Sequence, residues 1–155
     1  MDGAQALEEH GRALADAISD ALPGWVERSV RRRLEDAGRT ADPDVMAAAA
    51  DAGKRAAEEV GAAVRRLLAR DVDEQRTTPL SLVRGAVRYP TAVLEGAGVP
   101  PVHRDEVQAA LFPEDRYDLA PANFADVDPS LAEPGLVWGA AKAFAHLQRH
   151  KKPEE

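Results

Sequence analysis

Cysteine is absent from this chain, which excludes disulfides, thiolate metal sites and cysteine nucleophiles whatever the redox compartment. Valine, isoleucine and the aromatics are too sparse and too scattered to build the alternating runs that half-buried strands require. No apolar run reaches the roughly 20 residues of a membrane-spanning helix, and without cysteine there is no palmitoyl or prenyl anchor. Positive charge is in deficit: 20 Lys and Arg stand against 27 Asp and Glu, a net charge of -7. A field of that sign repels nucleic acid unless the arginines are segregated on one face. No serine sits in a G-x-S-x-G elbow, so serine-hydrolase chemistry has no visible support. The opening residues, MDGAQALEEHGRALADAISD, put acids where a secretory leader has basic residues and an apolar core. The expectation is a cytoplasmic protein with no membrane insertion.

Alanine is abundant instead, at 31 of 155 residues, and with few strand formers this predicts an all-α fold. The length suits one domain, residues 1–155, with one sizeable core. A first helix is predicted from Leu7, Gly11, Leu14, Ile18 and Leu22 at steps of three and four, ending near Pro23 and Gly24. A second carries Trp25 or Val26, Val30 and Leu34, with Gly38 as its cap. Asp42 and Pro43 open a third, whose stripe of Val45, Ala49, Ala52, Ala56, Val60, Val64 and Leu67 runs to about Arg70. This third helix is expected to be the long central axis of an irregular bundle, making residues 4–70 a three-helix part. Residues 71–77 are expected to act as a hinge and 151–155 as a tail.

Proline breaks up the second half, residues 78–150, at 79, 90, 100, 101, 113, 121, 129 and 134. Thr78 and Pro79 again read as a capped helix start, with Leu80, Val83 and Val87 on its apolar side. Pro90 is expected to kink that helix or begin another, and Gly96 and Gly98 to end it. A short helix is predicted near 104–111, then a mostly extended stretch anchored by Phe112, Tyr117, Leu119 and Phe124, then a last helix from Pro134 or Gly135 to His150.

Few residues form a chemical constellation. His146 and His150 share a helix face, but no third ligand accompanies them, and basic residues suit a helix end in any case. "HRD" at 103–105 lacks every partner motif of a kinase, and the glycines at 96 and 98 follow a helix, where a phosphate cradle would follow a strand. The acidic pairs Glu8 and Glu9, Glu58 and Glu59, and Glu114 and Asp115 read as solvated faces. No catalytic residue, metal site or cofactor is predicted. Arg28, Arg31, Arg32, Arg33 and Arg39 outnumber Glu27, Glu35 and Asp36 and could hold phosphates, but the acidic first helix is expected alongside to pair with them. Residues 76–104 are basic and residues 105–128 acidic, so these neighbours are expected to dock on each other.

The candidate binding residues are Asp73, Glu74, Arg76, Arg84, Arg88 and Tyr89. Arg84 and Arg88 lie one helical turn apart beside a predicted bend at Tyr89 and Pro90, which would make a concave corner. Two readings stay open. Either Asp71, Asp73 or Glu74 neutralises the two arginines, or the corner takes an anionic group through guanidinium forks and the Tyr89 hydroxyl.

The segments "AGVPP", "PEDRYDLAP" and "EPGLVWGAAKAF", within residues 71–144, resemble a family of small uncharacterised actinobacterial helical proteins. That resemblance implies a helical fold and carries over no catalytic residue. The functional expectation is a non-enzymatic cytoplasmic interaction or accessory protein, with a protein partner or as a homodimer through the alanine-lined helix. Alternatives are an anion-binding helical sensor or enzyme at the arginine corner, and a nucleic-acid-binding regulator using residues 28–39.

Overall fold

The computed structural model describes residues 3–70 and 74–150. It is all helical, with no strand among the described residues. The order is α1 (Gly3–Asp36), α2 (Pro43–Leu68), α3 (Pro79–Arg84), α4 (Arg88–Gly96), α5 (Glu106–Leu111), α6 (Phe124–Val127) and α7 (Ala132–His150). Short 3₁₀ turns at Gly85–Val87 and Pro129–Leu131 join α3 to α4 and lead into α7. Among the described residues, no helix is long and apolar enough to cross a membrane.

The two helices expected on either side of Pro23 are one helix of 34 residues, with the proline inside it. An interior proline removes a backbone hydrogen bond and costs about 3 kcal/mol. Around it, Ile18, Leu22 and Val26 are fully buried and Trp25 nearly so. Each such side chain is worth roughly 1.5–3 kcal/mol, so the continuous buried face outweighs the break. Residues 4–70 are therefore a helical hairpin of two members, and the basic stretch lies further along the same helix as the acidic one.

Its turn follows the predicted punctuation. Gly38 adopts φ +71°, and its N–H and that of Arg39 donate to the carbonyls of Glu35 and Leu34. Asp42 caps α2 by accepting from the Asp44 N–H at 2.7 Å, with Pro43 at the first helical position.

The axis of the bundle is α1, which packs along α2, along α7, and against α4 and the turn around α6; α2 was the helix expected there. The small-residue face of α2, including Ala49, Ala52, Gly53, Ala56 and Gly61, is buried, and α1 covers it. That face cannot also pair with a second copy. Pro23 lies over Gly53, where a Cβ would come 2.8 Å from the Pro23 Cα. Two turns on, a Cβ on Gly61 would collide with the Ser19 Oγ.

The second half is interrupted as expected. Thr78 caps α3, accepting from the Ser81 N–H at 3.1 Å. The chain then stays helical through Pro90, which falls in the first turn of α4, and the tightening occurs just before it at Gly85–Val87. The Thr91 hydroxyl donates to the Val87 carbonyl at 2.7 Å. Gly98, at φ +72°, ends the segment, whereas Gly96 is still helical. Tyr117 and Leu119 are buried anchors, but Phe112 is 43 % exposed and stays outside the core. The stretch expected to be extended contains α6, closed by a capping box between Asn123 and Asp126. Gly135 leaves room for the Phe124 ring and Gly11 for Trp138, which seats α7 on α6 and α1.

The two α2 glycines are expected to respond differently to alanine. Gly53→Ala meets backbone, so the helices must separate at a cost of about 1–3 kcal/mol. Gly61→Ala meets a side-chain hydroxyl, so its loss should be largely relieved by adding Ser19→Ala. Urea melts of the two single variants and of both in the Ser19→Ala background check this.

Candidate functional site

Of the six predicted binding residues, the fold brings three together. Arg84 and Arg88 sit either side of the 3₁₀ turn, where α3 passes into α4. The Arg84 guanidinium lies over the Phe112 ring, 5.0 Å from its centroid. That of Arg88 lies over Tyr89 at 5.1 Å and donates to the Tyr89 hydroxyl at 3.3 Å. This hydrogen bond is the main cause raising the Arg88 pKa; burial opposes it, and the more distant Glu59 and Glu114 reinforce it. Among the described residues, no carboxylate comes within ion-pair distance of either Arg84 or Arg88. Tyr89 is itself buried, with its hydroxyl engaged by Arg88.

Glu74 and Arg76 are exposed, and among the described residues no ion pair joins them to the corner. Glu74 therefore does not neutralise Arg84 or Arg88. Asp71 and Asp73 lie outside the described residues. Thr78 is the α3 cap.

The partner that sequence reasoning missed is the segment around α5. Phe112 packs under Arg84 from 28 positions away along the chain, and the charge of Glu114 is felt at Arg88. α5 buries none of its residues; Val107 and Leu111, one turn apart, are 68 % and 66 % exposed. That i, i+4 spacing was readable as an amphipathic signal, whereas its position beside Arg84 was not.

A tight polar network holds this segment. Arg104 donates to the Phe112 carbonyl at 2.7 Å and faces Asp115 at 3.8 Å, each side chain only 10 % exposed. Asp115 accepts from the Leu119 N–H at 2.7 Å, so this acid is a buried structural group and not part of a solvated face. Asp118 takes φ 56° within the same turn, a conformation aspartate tolerates better than most residues. Arg116 pairs with Glu95, and the Tyr117 hydroxyl donates to the Val99 carbonyl at 2.6 Å. The basic and acidic neighbours thus dock in part, through Arg104 with Asp115. Asp105 of the "HRD" triplet caps α5, accepting from the Gln108 N–H.

An open cleft of about 430 Å³ lies beside this network, lined by His103, Arg104 and Arg116 between Pro101 and Pro113. Both of its arginines already have acidic partners. Among the described residues, no three imidazoles or carboxylates converge to hold a metal ion. His146 is exposed, and the side chain of His150 lies outside the description.

In the basic stretch of α1, Arg28 donates to the Val127 carbonyl at 2.8 Å and faces Asp128 at 3.8 Å. Arg33 is half-buried, its Nε enclosed without a hydrogen-bond partner. Arg31, Arg32 and Arg39 are exposed. Glu8, Glu9 and Asp16 do not lie alongside these arginines, because α1 carries both groups along its length. Asp16 pairs instead with Arg65 of α2.

The chain is an all-α protein with a cationic, partly apolar corner. Comparison with protein-family models, with curated proteins and with solved structures finds no match.

Two measurements probe the network. Arg104→Ala strips a guanidinium from a nearly buried pair and should cost roughly 2–4 kcal/mol in a denaturant melt. The Tyr117 pKa is raised, first by burial and then by Glu95. A raised phenol pKa contributes stability that is complete below the ordinary tyrosine value of about 10 and is lost as pH rises through the folded value. The native protein should therefore lose stability above about pH 10. Tyr117→Phe should lack that alkaline component, while costing about 1–2 kcal/mol at neutral pH for the orphaned Val99 carbonyl.

Proposed function

We propose that the chain is a non-enzymatic interaction protein that receives an acidic, partly apolar segment of a partner protein at the corner of α3, α4 and Phe112. One observation carries this reading: Arg84 is stacked on a ring that is itself 43 % exposed, with no carboxylate within ion-pair distance among the described residues. A guanidinium held flat on an aromatic ring keeps its outward N–H groups available to fork onto a carboxylate. Val107 and Leu111 stand close by along the chain with their side chains uncovered, a surface for the apolar side of the same segment. Exposed aromatics beside arginine are the composition on which interfaces concentrate binding energy.

The same forks could take a small anionic molecule, but the neighbouring cleft supports that less, since Arg104 and Arg116 are already paired there. Nucleic-acid binding through residues 28–39 has lost part of its footing too, with Arg28 engaged by the Val127 carbonyl and Asp128 and Arg33 half-buried. A cytoplasmic setting and a place among actinobacterial proteins belong to the same proposal.

The test replaces Arg84 and Arg88 by glutamine, one at a time. Because neither makes an ion pair within the described chain, each variant should keep its stability to within about 1 kcal/mol, the scale of a single cation–π contact. Capture of a partner from native lysate should fall for both, and for Leu111→Ser. Arginine variants that lose folding while still capturing the partner would assign these residues to structure. A wild-type chain that captures nothing would remove the proposal.

A further inference from the structure

α7 has two faces with opposite surroundings. Gly135, Trp138 and Ala145 are turned inward, whereas Leu136 and Leu147 are 75 % and 69 % exposed. Between the leucines Gly139, Ala140 and Ala143 are also exposed, as are Val137 and Phe144. At about 100° per residue, Leu136, Ala140, Ala143 and Leu147 fall in one strip about 60° wide. Their spacing of four, three and four is that of a heptad seam. Val137 and Phe144 border the strip on one side, and Gly139 and His146 on the other.

The strip reads the same from either end. Reversed about the point between Ala141 and Lys142, Leu136 exchanges places with Leu147, and Ala140 with Ala143. In an antiparallel pair of seams the two borders meet their own kind, so Val137 faces Phe144 of the second copy and Gly139 faces its His146. Large residues then close both ends, while alanine and glycine in the middle let the axes come to about 8 Å, the near limit of helix packing. A Cβ on Gly139 would meet nothing within 4 Å, so that side is open to an incoming chain. The ends agree electrostatically as well. Antiparallel pairing sets the positive amino-terminal end of each α7 macrodipole beside the negative carboxyl-terminal end of the other.

We propose that α7 is a homodimerisation helix, pairing antiparallel with α7 of a second copy about a two-fold axis at its midpoint. An isologous interface requires a patch complementary to itself, and this strip is one, with leucine against leucine at the ends and alanine against alanine in the middle. The inference rests on the reading of the chain as an interaction protein. It uses a different surface, however, because α7 packs on α1 and α6 while α3 and α4 pack on α2. The arginine variants therefore leave dimerisation intact, and failure of either idea is visible separately. One helix pair buries less than the roughly 1,200–2,000 Å² of a standard interface, so the dimer dissociates on dilution.

Sedimentation velocity on the full chain over a wide concentration range tests this. The wild type is expected to pass from monomer to dimer. Leu136→Lys and Leu147→Glu should each weaken the dimer by more than about tenfold, since two-fold symmetry introduces every substitution twice. An equimolar mixture of the two variants should regain it. In the mixed pair the introduced lysine meets the introduced glutamate at one end, and Leu147 meets Leu136 at the other. Both positions are exposed, so helical circular dichroism should match the wild type; if either variant misfolds, Ala140→Glu takes its place with the same expected loss. A wild type that stays monomeric, variants that dimerise unchanged, or a mixture no stronger than its components would each overturn the proposal.

Discussion

The close contact between α1 and the small-residue face of α2 is the constraint from which the remaining architecture follows. Pro23 lacks the N–H that would close its turn, and its ring occupies space beside the chain, so an isolated helix of this sequence would break there. Gly53 removes the Cβ that would collide with Pro23, and Gly61 does the same for Ser19. With that clearance, Leu14, Ile18, Leu22, Val26, Val30 and Leu34 form one uninterrupted buried row. The length of α1 then supplies a platform on which α7, α4 and the turn around α6 all pack.

The second half is held differently. Apart from α7 its helices are short, and short helices gain little from their own hydrogen bonds, so side-chain caps and a few nearly buried polar links help to fix the path. Thr78, Asp105, Asn123 and Asp128 each cap a helix or turn. The Asp128 carboxyl is held below the usual range, first by the Ser130 backbone N–H, then by the Ser130 hydroxyl, and further by Arg28. Apolar side chains nonetheless remain uncovered on α5, Phe112 and α7.

The arginines divide by the same logic. Arg28, Arg104 and Arg116 are spent on carbonyls and carboxylates within the chain, while Arg84 and Arg88 rest on aromatic rings. A guanidinium paired with a carboxylate is electrically finished; one stacked on a ring keeps its full charge and most of its donors. The sequence hints at this partition, since Arg104 and Arg116 stand among acids whereas no acid falls between residues 75 and 94; which acid pairs with which arginine it does not show.

What sequence alone determined here was local. Helical class, the caps at Asp42 and Thr78, the left-handed turns at Gly38 and Gly98, and the apolar stripes all depend on residues within a few positions of one another, where steric preference and periodicity act directly. The same locality explains the misreadings. Pro23 and Gly24 carry every mark of a helix end, and only burial against Gly53, 30 positions away, overrules it. Phe112 is as hydrophobic as any core anchor, yet it is exposed under Arg84. Asp115 looks like half of a solvated acidic pair, yet it is buried against Arg104 and the Leu119 N–H. Tertiary structure decided which long helix became the axis, which charges were neutralised and which apolar face stayed open. Each depends on surfaces brought together from distant parts of the chain, and their energies enter only once those surfaces meet.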